Sequence, residues 1–332
     1  MAFSSGKGIK TGGNKRKEPE CPYSNKFLSL IHEQHFLTVQ DRRLLMERKA
    51  GWVPDLAPQF GEEVESRKWE RIATYPTPEN ITVVKEFYTN ARSLGDSPTE
   101  DYMSYVRGKI IWYGLDSINR FLHIEWTSVQ CQFALNMEEG AYFEDMESVL
   151  CVPRGNFQRN RNGAAVHIRR AYMTSLAKYW MAFSYANIQP CSHVFDITVN
   201  MALFLYCVFR GMNINIGHVI ASEIQTYAST MNNKAPLGHP SLITHLYELV
   251  GVNTSSPPLE CPRKAIDEAY YRRIMEEMRR WTMDEFNNVV AWPKEQAQGS
   301  GVGAAEALAV EDDDDFEDVE EGEVEDSDDS MG

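Results

Sequence analysis

The sequence predicts a mostly α-helical, multi-helix globular domain with one small β-hairpin, a disordered basic amino-terminal arm and a disordered acidic carboxyl-terminal tail. Three observations carry this architecture. Apolar residues recur at helical spacing through most of residues 25–290. One segment, Tyr102 to Tyr113, breaks that period with Tyr, Val, Ile and Trp around an Arg-Gly-Lys centre. Both ends lack the apolar residues that a core requires.

Charge separates the tail from the rest. The 332 residues include 48 Asp and Glu against 33 Lys and Arg, a net charge of −15. Fifteen of those acids fall in residues 306–332, where no base occurs, so the remainder is neutral. A hydrophobic share of 43%, with 11% aromatic, suffices for one sizeable core or two modest ones. The six cysteines, Cys21, Cys131, Cys151, Cys191, Cys207 and Cys261, are scattered rather than ranked as in a small disulfide scaffold. They predict reduced thiols and a nuclear or cytoplasmic protein. The opening MAFSSGKGIKTGGNKRK has no apolar stretch and is not read as a secretory signal. Met201 to Phe209, the longest strongly apolar run, is about half of the ~20 residues that a spanning helix needs, so no membrane association is expected.

In chain order, residues 1–22 form the arm, with Lys7, Lys10, Lys15, Arg16 and Lys17 ahead of the first acid, Glu18. Its KRK cluster reads either as a nuclear signal or as ordinary solvated charge. The folded domain is expected over residues 23–292, undivided or as two lobes split near 150–165. Phe27, Leu28, Leu30 and Ile31 open its helical spacing, and Val39 to Lys49 continues it. Val83, Val84, Phe87, Tyr88 and Ala91 build one face of a core helix. The hairpin follows, turning at Arg107 and Gly108, and Asp116 caps a short helix carrying Ile118, Phe121 and Leu122. A helix over Tyr142 to Leu150 precedes a loop from Pro153 to Gly163. Further helices are predicted over Ile168 to Tyr185, Thr198 to Arg210, Gly217 to Met231, Ser241 to Val250 and Lys264 to Val290. The second of these is apolar all round and belongs at the centre of the fold. The last carries a stripe of Ile266, Tyr270, Ile274, Met278 and Trp281, whose spacing suits packing on its own domain better than a heptad seam. Residues 293–332 are the tail.

Two blocks in the second half, YWMAFSYANIQPCSHVFDITVNMALFLYCVFRGMNINIGHVIASEI and APLGHPSLITHLYELVGV, resemble the family named putative plant transposon protein domain, related to Athila-like retrotransposon-associated open reading frames. VVKEFYTNAR and YVRGKIIWYGLDSINRFL in the first half resemble it too, so the likeness runs from about Trp69 to Val252. The resemblance implies an origin in a transposable element. It carries over no catalytic residue and no cofactor.

Each chemistry-bearing residue also has a simpler structural reading. Cys191 and His193 stand close enough to form half of a zinc site, but no second short-spaced pair follows; Cys207, His218, His239 and His245 are isolated. Filling of an apolar interior by Cys207, and backbone hydrogen bonding by His193, is the simpler expectation. Cys191, His193 and Asp196 could form a nucleophilic arrangement, and the competing class is an enzyme with a site around Cys191, His193 and His218. No G-x-S-x-G, Walker or H-E-x-x-H motif occurs. Transposase and integrase chemistry is not expected, because the sequence lacks the alternating apolar strands that would present a metal-binding acid triad.

The strongest charge signal in the body is an absence. The 48 residues 148–195 contain no acid but include Arg154, Arg159, Arg161, Arg169, Arg170 and Lys178, with Phe157, His167 and Tyr172 among them. Phosphate contact with occasional base stacking would use such a segment, which offers RNA or DNA as one candidate partner. Alternatively these cations pair with acids elsewhere in a neutral body or dock the chain's own acidic tail. The acidic tail suits basic proteins or serves only for solubility. The sequence thus predicts a non-catalytic binding or scaffolding protein without cofactor or metal, and leaves the oligomeric state open.

Overall fold

The computed structural model describes residues 26–51, 58–92, 102–127, 130–139, 143–192, 195–253, 259–270 and 272. The chain divides into units 1–287 and 288–332, and every described residue belongs to the first. The expected basic arm and acidic tail lie outside the described residues, as does the expected long helix beyond its first turn.

The elements run α1 (Leu30–Val39), β1 (Arg48–Ala50), α2 (Pro58–Ser66), α3 (Glu70–Thr74), β2 (Glu79–Asn80), α4 (Ile81–Asn90), β3 (Met103–Val106), β4 (Lys109–Trp112), α5 (Leu115–Leu122), α6 (Gln132–Glu139) and α7 (Phe143–Leu150). They continue with β5 (Phe157–Arg159), β6 (Ala165–Arg169), α8 (Ser175–Asn187), β7 (Asp196–Thr198), α9 (Val199–Phe209), α10 (Ile216–Ser229), α11 (Pro240–Leu249), β8 (Leu259–Glu260) and β9 (Arg263–Ile266). Helix dominates, as the periodicity predicts. The strands exceed the single expected hairpin and form four small sheets: parallel β1–β9, antiparallel β2–β8, antiparallel β3–β4 and antiparallel β5–β6–β7.

The helix that is apolar all round, α9, does sit at the centre: Met201 to Val208 are all buried. Thr198 caps it by accepting the Met201 N–H, and Thr174 caps α8 in the same way at Ala177. Between α8, α9 and α2 the core is aromatic, with Trp180 ringed by Phe60 at 4.7 Å, Phe183 at 5.6 Å and Trp69 at 6.2 Å. Offset and edge-on packing of this kind adds about 0.5–1.5 kcal/mol per pair beyond the area buried. The core continues across residues 150–165, since Met146, Leu150, Phe157 and Ile168 share it with Phe87 and Tyr247.

A second part of the interior is polar. Glu47 is fully buried and accepts N–H bonds from Ser241 and Leu242 at the start of α11 and a hydroxyl bond from Tyr75. Glu79, also fully buried, sits near enough for the two carboxyl groups to repel. Burial pushes the Glu47 pKa up to about 7, and burial together with the Glu47 charge pushes Glu79 up to about 9. Nearby, the buried Arg42 guanidinium donates to the carbonyls of Ala235, Tyr227 and Pro236. These bonds stitch residues 42–47 to the turn that introduces α11.

Several expectations need correction. Val39 to Lys49 is not helical beyond α1; its carbonyl and N–H groups pair with the segment around Leu237, and its end is strand β1. The predicted Pro153 to Gly163 loop contains β5, and Ile168 and Arg169 belong to β6 rather than to the helix, which starts at Ser175. Lys264 to Ile266 is strand β9, drawn out of helix by pairing with β1. Gly114, not Asp116, is the N-cap of α5. On α1 the faces are reversed: His32 and His35 are buried against α4, while Leu30, Ile31 and Leu37 are exposed. No helix among the described residues is long and apolar enough to cross a membrane.

Candidate nucleic-acid interface

The acid-free segment folds into the β5–β6 ribbon, to which β7 adds a third strand. In register, Phe157, Ile168 and Ile197 line up on the buried face and Gln158, His167 and Thr198 on the outer one. The loop is a self-bonded turn in which the Asn160 side-chain oxygen accepts the N–H groups of Asn162 and Ala164 at 2.9 and 3.0 Å. Gly163, with φ of +78°, completes it. The tip, residues 160–164, is exposed throughout.

The six predicted cations divide by position. Arg161 stands on the tip and Arg154 on the turn before β5, both exposed, and neither forms an ion pair among the described residues. Arg159 is exposed, donates to the Gly163 carbonyl at 3.1 Å and lies 5.7 Å from the Phe143 ring centre. It shares the rim of a shallow cavity of about 610 Å³ with Glu144 and Asp145. Arg169 is exposed on the outer face opposite Asp196, the acid that ends the acid-free run, and Asp196 also lies 3.5 Å from His167.

Arg170 and Lys178 do not belong to this surface. Their exposures are 8% and 7%. Lys178 follows Ala177 on a helix buried nearly all round, and burial, with the Arg170 charge beside it, lowers its pKa to about 8. Arg170 lines a small cavity of about 60 Å³ with Arg48, Arg263, Tyr185 and Cys191. The expectation that these two cations contact phosphate is corrected by their burial. The sequence signals that could have revealed the ribbon were the Asn160, Asn162 and Gly163 turn residues between the alternating runs FQR and AVHIR.

The Cys and His residues are spread out. Cys191 is half-buried beside Tyr185, and the carbonyl of its neighbour Pro190 accepts the Tyr227 hydroxyl. His218 lies in the first turn of α10 and Tyr227 in its last, nine residues on, which is roughly 13.5 Å of helical rise. The structure therefore does not bring Cys191 and His218 together, and His193 lies outside the described residues. Cys207 is buried on α9, takes the Asn136 amide at 3.6 Å and has its thiol pKa raised by burial. His239 is buried, with burial lowering its pKa to about 3, and His245 bonds to Tyr75 and Thr77. Among the described residues no group of three or more His, Cys, Asp or Glu is placed to hold a metal ion.

No curated protein and no solved structure matches the chain. A family model does: residues 65–253, more than half of the chain, match the Putative plant retrotransposon-related domain, and the span agrees closely with the resemblance read from the sequence blocks. The chain belongs to the plant retrotransposon-related domain family.

Proposed function

We propose that this protein is a non-catalytic nucleic-acid-binding component of retrotransposon origin, which holds RNA or DNA through phosphate contacts along the arginine-bearing β5–β6 ribbon. The observation that carries the reading is the self-bonded ribbon, which exposes Arg161 at its tip with Arg159 beside it, and Arg169 and Arg154 at its base. A neutral body does not oppose it. Fields from exposed charges fade within a Debye length of about 8–10 Å, so the local arrangement decides what a phosphate meets. Asn160, Asn162 and the tip backbone supply neutral donors beside the guanidinium groups, as phosphate-positioning surfaces do.

The test is fluorescence anisotropy of the full chain with labelled 30-nucleotide RNA and 30-base-pair DNA at low salt. Arg154→Gln/Arg161→Gln is expected to weaken binding about ten-fold or more without changing the melting temperature, since both side chains are exposed and unpaired. Absence of binding by the wild-type chain to either probe would overturn the reading.

A further inference from the structure

The β3–β4 ribbon has an unusual outer face. Its strands pair Met103 with Trp112, Ser104 with Ile111, Tyr105 with Ile110 and Val106 with Lys109. Ser104, Val106 and Ile111 point inward and are fully buried, and the Ser104 hydroxyl donates to the Phe87 carbonyl of α4. Met103, Tyr105, Ile110 and Trp112 therefore share the outward face, where Trp112 is 46% and Ile110 51% exposed. A large ring left this open on a rigid strand departs from the usual burial of Trp.

The face is held stiffly. The Asn90 amide donates to the Tyr105 carbonyl, the buried Glu86 carboxyl accepts the Arg107 N–H, and the Arg107 guanidinium donates to Asn253. Arg107 and Gly108 occupy the turn with φ of +46° and +83°, the mirror-image turn that suits the twist of a two-residue hairpin. Arg107 is exposed there, and the Tyr105 hydroxyl lies over Gly108, so ring and cation adjoin.

We propose that this face is a stacking platform for unpaired nucleotides, with Trp112 and Tyr105 taking bases on their ring faces and Arg107 taking the connecting phosphate. The proposal rests on the nucleic-acid reading above and sharpens it to single strands. Trp112 and Tyr105 are diagonal neighbours, roughly 7–8 Å apart across the ladder. Bases in a duplex keep their faces covered by their neighbours, so only an unpaired strand offers them to both rings. The adjoining Arg107 distinguishes the face from a purely apolar protein-docking patch such as the exposed Leu30, Ile31 and Leu37 of α1.

The experiment compares wild-type, Trp112→Ala and Trp112→Phe chains, each full length, for binding to a labelled 12-nucleotide oligo(U) and to a 30-base-pair duplex, with sedimentation velocity in parallel. Trp112→Ala is expected to weaken oligo(U) binding about five- to a hundred-fold, to leave duplex binding unchanged, and to be largely rescued by Phe. Equal oligo(U) affinity in wild type and Trp112→Ala would overturn the platform, as would loss of self-association as the variant's only change, which would mark the face as an interface between copies. Duplex binding without any oligo(U) binding would sink the platform alone. No binding to either probe would sink the parent reading with it.

Discussion

Around Trp180 the interior is built of rings: Phe60, Trp69, Phe183 and Phe204 meet edge-on or offset, with the Tyr179 ring against Phe60 and the Arg67 guanidinium over Trp69. Around Glu47 the same core is built of carboxyl groups, a tyrosine hydroxyl and the N–H groups that open α11. The first region fills space. The second fixes the chain path. Glu47 and Arg42 precede the family-matched span, residues 65–253, yet their bonds end inside it, at Tyr227, Ala235, Pro236, Ser241 and Leu242. Strands β8 and β9 return from beyond the span to pair with β2 and β1. The structural unit is thus larger than the family segment, and its polar centre is where the flanks are tied in.

The comparison can be broken most forcefully at the rings. Trp180→Ala is expected to cost about 3–5 kcal/mol, read by urea denaturation, with the same loss at pH 6.5 and pH 9. A pH-dependent loss would mean that the two regions are not separable. Glu47→Ala comes next, at about 2–4 kcal/mol, because two buried N–H groups and the Tyr75 hydroxyl lose their acceptor.

The third prediction uses pH directly. The Glu47 and Glu79 pKa values are raised in the folded state, so their contribution is fully present below the ordinary carboxylate range and is lost as pH rises through about 7 and about 9. His35 and His239 work oppositely, with pKa values lowered to about 4 and about 3, chiefly by burial, so their contribution is complete above the ordinary imidazole pKa and falls away in acid. Between pH 6.5 and 9 the carboxyl groups dominate this set, and wild-type stability should decline. Glu79→Gln should flatten the decline, gaining about 1–3 kcal/mol on wild type across that window. Parallel stability profiles for the two proteins would remove Glu79 from the account.

The same contrast explains what the sequence revealed. Helices α4, α7, α9, α10 and α11 lie within a few residues of their expected bounds because their signal is local apolar periodicity. The β3–β4 ribbon was legible for a similar reason, its turn and alternation lying within twelve residues. Sheet β5–β6–β7 was not, because β7 joins from Asp196 to Thr198, far along the chain, and a three-residue strand has almost no pattern of its own. Val39 to Lys49 misled because Arg42 and Glu47 look like solvated charges until their partners near residues 227–242 are in place. At the candidate interface, composition located the right segment but could not divide its cations. Lys178 looks like the exposed arginines in sequence and differs only because α8 is buried nearly all round.

If the exposed arginines hold phosphate, affinity must weaken as salt rises. The most direct measurement is the salt dependence of nucleic-acid affinity for the full chain and for Arg154→Gln/Arg161→Gln. Four phosphate contacts predict that log K falls against log salt with a slope of about −3, and removal of two should reduce its magnitude by about 1.5. A slope unchanged by the double substitution would contradict the assignment of the β5–β6 ribbon as the phosphate-binding surface.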